Sequence, residues 1–165
     1  MSLDSVRERM AEYLREQGVP AAAAWPGQER LAQGEPVAVV SLRECEAGPA
    51  GFQDYLGERL DERTGLWEEL YGRRVTLTLG LDLYAPPETE GERLQRAFDA
   101  LAQALTRGGP DGLHVQSFSC GETTYDRDSR LLKRPAQAVC GAYLYAVAQP
   151  GEAFLDFELR GELKI

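Results

Sequence analysis

The sequence predicts an α+β fold, a mostly antiparallel (mixed) β-sheet with two main helices packed on one face. Two segments of helical periodicity are separated by a long stretch in which apolar and polar residues alternate strictly. The last third of the chain alternates again on both sides of a turn, as a hairpin does. A chain of 165 residues fits a single domain, taken as residues 1–165.

The first helix is marked by an apolar stripe at helical spacing: Val6, Met10 and Leu14. Ser5 and Glu8 have the spacing of a capping box, and Gly18 indicates the end of the helix. A short strand is predicted at residues 21–25, followed by a turn at Pro26 and Gly27. Residues 36–42 are short, β-branched and apolar, which predicts a buried strand.

Residues 43–66 are predicted to be an irregular excursion, because the segment is rich in turn residues around Gly48. It also holds large apolar side chains: Phe52, Tyr55, Leu56 and Leu60. Such side chains do not suit a solvated linker. We therefore expect the segment to pack back on the domain, or else on a neighbouring subunit, and favour the first.

The clearest strand covers residues 74–84 and is expected to begin earlier, near Trp67. Two consecutive prolines, Pro86 and Pro87, end it. The second helix is predicted to start with Thr89 and Glu92 at capping-box spacing and to end at Gly108. Its apolar stripe is Leu94, Ala97, Phe98, Leu101, Ala104 and Leu105.

The last third predicts a β-hairpin, with strands at residues 113–125 and 130–147 and a turn at 126–129. Within the second strand, one face carries Tyr143 and Tyr145 and the other carries Cys140. The strand thus has apolar residues on both faces. Burial of both faces within one chain explains this as well as contact with a neighbouring subunit does. Residues 150–165 alternate again and predict a C-terminal strand extension.

Composition excludes several kinds of partner. The net charge of −9 and the pI near 4.7 disfavour sequence-specific nucleic-acid binding, which needs clustered basic residues. No apolar run is long enough for a membrane span, so no membrane partner is predicted. The three cysteines are widely spaced and cannot all pair within one chain, as in proteins of a reducing cytoplasm.

The sequence shows no constellation that carries chemistry. His114 is the one histidine, and structural zinc needs four ligands with a short-spaced pair, which Cys120 and Cys140 do not provide. A nucleophile needs a neighbouring base, but strand alternation places His114 on the opposite face from Ser117 and Ser119. Phosphate-binding loops and a GxSxG elbow are absent. We therefore predict no catalytic residues, no metal and no cofactor, and a protein that is not an enzyme.

What remains is an interface hypothesis. Aromatic side chains are favoured in protein interfaces because they bring a large contact area, and tyrosine adds a polar tip. The candidate interface residues are Phe52, Tyr55, Trp67, Tyr71, Tyr143 and Tyr145.

Within residues 70–105, the long strand ends in a D-x-Y motif, Asp82 and Tyr84, and the second helix follows it. This segment resembles the strand and main helix of the tail-terminator (tail-completion) proteins of tailed bacteriophages and prophages. Residues 119–146, SCGETTYDRDSRLLKRPAQAVCGAYLYA, resemble their later hairpin. The likeness covers most of the chain.

The resemblance implies a non-enzymatic structural subunit that forms a ring, typically sixfold, on the end of the tail tube. The ring would stop tube polymerisation and dock to the neck. Its partners would be further copies of the chain, the tail tube protein and a neck or head-completion protein. Its place would be the virion tail, after assembly in the bacterial cytoplasm.

The charge of −9 suits a ring around a DNA conduit, because a negative lumen repels phosphate. The alternatives left open are a head–tail joining or neck subunit, another minor tail subunit, and an α/β protein unrelated to phage, either a binding module or a small enzyme.

Overall fold

Two helices and nine strands make up the residues that the computed structural model describes, which are 5–25, 34–49, 54–148 and 157–160. In chain order they are α1 (Val6–Glu16), β1 (Ala21–Ala22), β2 (Val37–Pro49), β3 (Tyr55–Asp61), β4 (Leu66–Ala85), α2 (Gly91–Thr106), β5 (His114–Cys120), β6 (Thr124–Asp126), β7 (Leu131–Arg134), β8 (Ala136–Ala148) and β9 (Phe157–Arg160). This composition confirms the predicted α+β fold.

The 20-residue strand β4 is the axis of the sheet. On one side it pairs antiparallel with β2 and then with β3, so these two strands follow one another along the same edge. On the other side it pairs in the same way with β8 and β7. Strands β5 and β9 pair with the outer side of β8, β6 pairs with β7, and β1 joins β2 in parallel. The sheet thus consists mainly of two long hairpins. One is formed by β2 and β3 with β4, the other by β5 and β6 with β7 and β8, and they pair through β4 and β8.

The hydrophobic core lies on one face of this sheet, beneath both helices. Alternation along β4 directs five fully buried side chains to that face: Val75, Leu77, Leu79, Leu81 and Leu83. Both helices contribute to the same cluster, α1 through Met10 and Leu14, α2 through Leu101. The hydroxyl of Tyr13 in α1 donates a hydrogen bond to the carbonyl oxygen of Ala104 in α2 at 2.8 Å. The prediction that both helices pack on one face is therefore confirmed.

The prediction of an irregular excursion at residues 43–66 is wrong for the part of it that the structure describes. Strand β2 continues to Pro49, β3 covers Tyr55–Asp61, and a turn joins β3 to β4. Neither described helix covers the second half of β2, so its sequence does not need the apolar alternation that would reveal a strand. Pro49 is compatible with this position because β2 pairs there on one side only among the described residues.

Helix α2 begins at Gly91, two residues after the start predicted from Thr89. The backbone N–H of Thr89 donates to the carbonyl oxygen of Pro86 at 3.0 Å, so Thr89 belongs to a turn and not to a helix cap. Glu90, with an extended backbone, is the cap residue. At α1, Ser5 has a helical backbone, which differs from the extended geometry of a capping box. Both helices end where glycines were predicted to end them.

The predicted hairpin in the last third is confirmed, with interruptions at residues 121–123 and at Pro135. The strand predicted at residues 21–25 is shorter and covers only Ala21–Ala22. Within the predicted C-terminal extension, Phe157–Arg160 forms β9 and pairs with β8. Phe52 and the turn predicted at Pro26 and Gly27 lie outside the described residues.

Candidate interaction surface

The hairpin of β3 and the first part of β4, residues 54–72, extends past the helix layer, and we call it the arm. Among the described residues, the core cluster under the helices contains no side chain of the arm; its first residue on β4 is Val75. From Leu66 to Val75 an extended strand covers about 30 Å. The arm is therefore held by strand pairing rather than by helix packing.

One side of the arm is exposed and carries large apolar and aromatic side chains around a pair of glutamates. By alternation along β4 and its register with β3, this side carries three consecutive cross-strand pairs: Leu60 with Trp67, Glu58 with Glu69, and Tyr55 with Tyr71. We call these six residues the arm face. Trp67 is 59% exposed, Leu60 47% and Tyr55 39%. An exposed group of large apolar side chains on one face is typical of a protein-binding surface.

The two tyrosines form the base of the arm face, and contacts between neighbouring side chains fix their positions. The rings of Tyr55 and Tyr71 meet edge to face, with their centroids 5.5 Å apart, an arrangement that aromatic pairs prefer. The Tyr71 hydroxyl donates to Oε2 of Glu69 at 2.8 Å. This hydrogen bond is the main reason that the pKa of Tyr71 is raised above its usual range, with further contributions from burial and from the Glu69 charge. Burial and then the charges of Glu58 and Glu69 raise the pKa of Tyr55.

The opposite side of the arm is anchored to the rest of the sheet. Nε of Arg59 donates to Oε2 of Glu68 at 3.0 Å, and its Nη1 donates to the Tyr145 hydroxyl at 3.1 Å. The guanidinium also lies 5.7 Å from the centre of the Tyr145 ring. Glu68 and Leu70 are buried on this side. The arm therefore has one side bound to its own chain and one side, the arm face, open to solvent.

The structure brings together three of the six residues predicted as an interface. Tyr55, Trp67 and Tyr71 lie on the arm face. Tyr143 and Tyr145 point to the other side of the sheet, where Tyr143 is half-buried and Tyr145 is 2% exposed within its own chain. Phe52 lies outside the described residues.

Sequence reasoning missed Leu60, Glu58 and Glu69 as parts of the same surface. Glu69 lies two residues after Trp67, so alternation along one strand places both on one face, whereas the sequence separations of Leu60 and Glu58 from Trp67 give no such sign. The register of β3 on β4 is what brings them together, and it could be found only by first recognising β3 as a strand.

At the other end of β4, the two residues of the D-x-Y motif make contacts that stabilise the sheet. Asp82 is buried and accepts hydrogen bonds from Nη2 of Arg43 at 2.7 Å and from the backbone N–H of Ala136 at 3.1 Å. Nζ of Lys133 lies 3.7 Å from its second oxygen. Burial raises the pKa of Tyr84, partly offset by the Lys133 charge. These contacts hold β4 to its neighbouring strands, and they engage both oxygens of the Asp82 carboxylate.

The residues considered for metal binding or nucleophilic chemistry lie apart. His114 is exposed and pairs with Gly141, so it faces away from Cys140, whose side chain lies in the core. Burial raises the pKa of the Cys140 thiol to about 11, which keeps it protonated at neutral pH. Within the described ranges, no three His, Cys, Asp or Glu side chains are placed to share a metal ion. Neither described helix has the length and apolar character needed to cross a lipid bilayer.

No protein-family model matches the chain, and no curated protein matches it in sequence. Its function therefore has to be inferred from the arm face and from the order of its elements.

Proposed function

We propose that this protein is a structural subunit of a phage or prophage tail, a tail terminator that caps the tail tube as a ring and docks to the neck. It acts by binding other proteins and catalyses no reaction. The observation that carries the proposal is the arm face, an exposed surface with large apolar and aromatic side chains on a hairpin that extends beyond the core. The order of elements, a helix, a long hairpin, a second helix and a second hairpin, supports it through the resemblance described above.

The position of the arm favours a ring. The arm lies at one end of β4, and the helix-covered body lies at the other. When a surface at one end of a subunit binds a different surface on the next copy, the contact is heterologous, and such contacts form closed rings when the rotation between copies closes. A hairpin that reaches out of its own core is well placed to make such a contact.

The composition of the arm face agrees with an interface rather than with a solvated surface. Tryptophan and tyrosine are enriched among residues that dominate binding energy in protein interfaces. Trp67 and Leu60 are direct cross-strand partners and form the apolar end of the arm face. Hiding both from water in a complex would contribute about 25 cal/mol for each Å² of apolar surface removed.

The test combines light scattering with electron microscopy of tail tubes assembled from a purified tail tube protein. We expect a ring in solution, or added density at one end of the tubes together with tubes of limited length. Trp67→Ser should abolish both. Tyr125→Ser is the matched control, because Tyr125 is also an exposed aromatic residue but lies on β6.

Three outcomes would contradict the proposal. A wild-type chain that ignores tube ends and leaves tube length unregulated excludes the terminator function. Density on the neck or head–tail connector, with none on the tubes, would assign the chain to a joining subunit. Equal activity of Trp67→Ser and the wild type would remove the arm face from the mechanism.

A further inference from the structure

The arm face has a charge pattern that defines what it can bind. Its two glutamates, Glu58 and Glu69, are direct cross-strand partners. Like charges placed directly opposite each other on neighbouring strands destabilise the pairing. Both side chains are exposed, and they lie between an apolar pair on one side and a tyrosine pair on the other. The face therefore alternates an apolar pair, an acidic pair and an aromatic pair.

No cation of the described residues neutralises this acidic pair. The next side chain along the same side of β4 is Arg73, and it forms an ion pair with Asp54 at 3.6 Å. Arg59 follows Glu58 but points to the opposite side, toward Glu68. The raised pKa values of the two neighbouring tyrosines are consistent with a locally negative potential. A positive group brought by a partner would relieve the repulsion between the two carboxylates.

Arginine is the positive group that fits best. A guanidinium is planar, is more weakly hydrated than an ammonium, bonds carboxylates through several N–H groups and stacks on aromatic rings. The arm face offers both kinds of contact, since the carboxylates lie next to the rings of Trp67 and Tyr71. A divalent metal ion is a poorer fit, because magnesium and calcium require six or more oxygen ligands and the site supplies two carboxylates.

The spacing of the three pairs specifies the shape of the segment. On a strand, side chains that share one face are two residues apart. From Trp67 to Tyr71 the face spans about 13 Å, the length of an extended segment of roughly five residues. A segment laid along the arm would place an apolar side chain over Leu60 and Trp67, a charged one over the glutamates and another apolar one over the tyrosines.

We infer that the arm face binds an extended segment of a partner protein with the pattern apolar–x–Arg–x–apolar, its arginine held between Glu58 and Glu69. The inference deepens the proposed function and rests on it for the partner's identity as a virion protein. The chemistry of the contact comes from the arm face itself.

The test is a peptide titration in which NMR monitors the signal of the tryptophan indole N–H. Trp25→Phe leaves Trp67 as the one tryptophan, since the chain has two. The probe is the peptide acetyl-Val-Thr-Arg-Thr-Val-amide, and its reference is the same peptide with citrulline, which has nearly the shape of arginine without its charge. The arginine peptide should bind about tenfold more tightly, from two rim ion pairs and ring stacking.

The glutamates are tested with a pair of charge-matched variants. In Glu58→Gln/Glu69→Gln, we expect the ratio of the two peptide affinities to fall to about one, because only electrostatic contacts differ between the peptides. The control is Glu44→Gln/Glu46→Gln, which removes the same charge from two exposed residues of β2. Both point to the side of the sheet opposite the arm face. It should keep the tenfold ratio.

The inference is overturned if the arginine and citrulline peptides bind equally well to the wild-type arm, or if the ratio survives in Glu58→Gln/Glu69→Gln. It is also overturned if millimolar arginine peptide leaves the Trp67 indole signal unmoved. If in addition Leu60→Ser lowers the mass of the chain in solution, the face joins copies of the chain through its apolar side chains alone, with no arginine in the contact. Failure of this titration removes the arginine assignment alone, whereas failure of the tail-tube experiment removes the tail function alone.

Discussion

At the residue scale, the carboxylate of Asp82 joins β4 to three other strands. It binds Arg43 of β2, Lys133 of β7 and the backbone N–H of Ala136 in β8. Asp82→Asn keeps the size of the side chain and removes its charge, which leaves two cations facing a neutral amide. We expect the free energy of unfolding to fall by about 2 kcal/mol, measured by urea denaturation. Asp128→Asn, in the exposed turn before β7, is the control; an equal loss in both variants would contradict this role for Asp82.

The buried thiol of Cys140 makes stability depend on pH. Burial raises its pKa from 9.0 to about 11. Between these values the unfolded chain has lost the thiol proton and the folded chain keeps it, so the folded state binds more protons and the free energy of unfolding falls as pH rises. The contribution is complete below pH 9 and declines by up to about 1.4 kcal/mol per pH unit above it.

Chemical denaturation from pH 8 to pH 11 measures this effect. Cys140→Ala should show a shallower decline than the wild type, since the titrating group is gone. Cys120→Ala, which removes an exposed thiol, should keep the wild-type slope. Identical slopes in the wild type and in Cys140→Ala would show that the decline comes from other groups.

At the scale of elements, the arm depends on the close approach of β8 to β4 at Gly72. A Cβ at this position would overlap the carbonyl oxygen of Leu144 and the Cα of Tyr145, which are backbone atoms and cannot turn away. Gly72→Ala therefore has to push β8 off the base of the arm. We expect the free energy of unfolding to fall by about 1–3 kcal/mol, the usual effect of overpacking, and amide exchange in β3 to rise.

Gly48→Ala is the matched control, because Gly48 lies on the same sheet, opposite Arg74, and a Cβ there meets nothing within 4 Å. We expect it to unfold at a urea concentration close to that of the wild type. Equal destabilisation by both substitutions would mean that glycine at these positions matters for backbone freedom and not for the strand contact.

The elements that sequence alone predicts well are those with one face in the core. Strand β4 and helix α2 show clean periodicity because Leu77, Leu79 and Leu101 have to reach the same buried cluster. Neither helix of the described residues lies over β3 or the second half of β2, so burial does not impose a pattern there, and both were predicted to be irregular. The interface residues show the same limit: residue type suggested Tyr55 and Trp67, but their placement on one face depends on a strand register that periodicity does not reveal.

At the scale of the whole molecule, the arm and the body take different parts in the proposed ring. Each copy would give its arm to one neighbour and receive an arm from the other. A copy with a defective arm face would still receive an arm, because the receiving surface lies elsewhere on the chain. It would enter a growing ring and leave one contact unmade, so the defect would be dominant in mixtures.

Mixing wild-type chain with Trp67→Ser measures this dominance. Trp67 is exposed, so the substitution should change the free energy of unfolding by less than about 0.5 kcal/mol and leave the variant folded. In a sixfold ring, one tenth of variant chain leaves roughly half of the rings without a defective copy, so capped tubes counted by electron microscopy should fall far more steeply than the variant fraction. Tyr125→Ser in the same mixtures should have no effect. A loss of capped tubes in simple proportion to the Trp67→Ser fraction would mean that each subunit acts alone, and the head-to-tail ring would have to be abandoned.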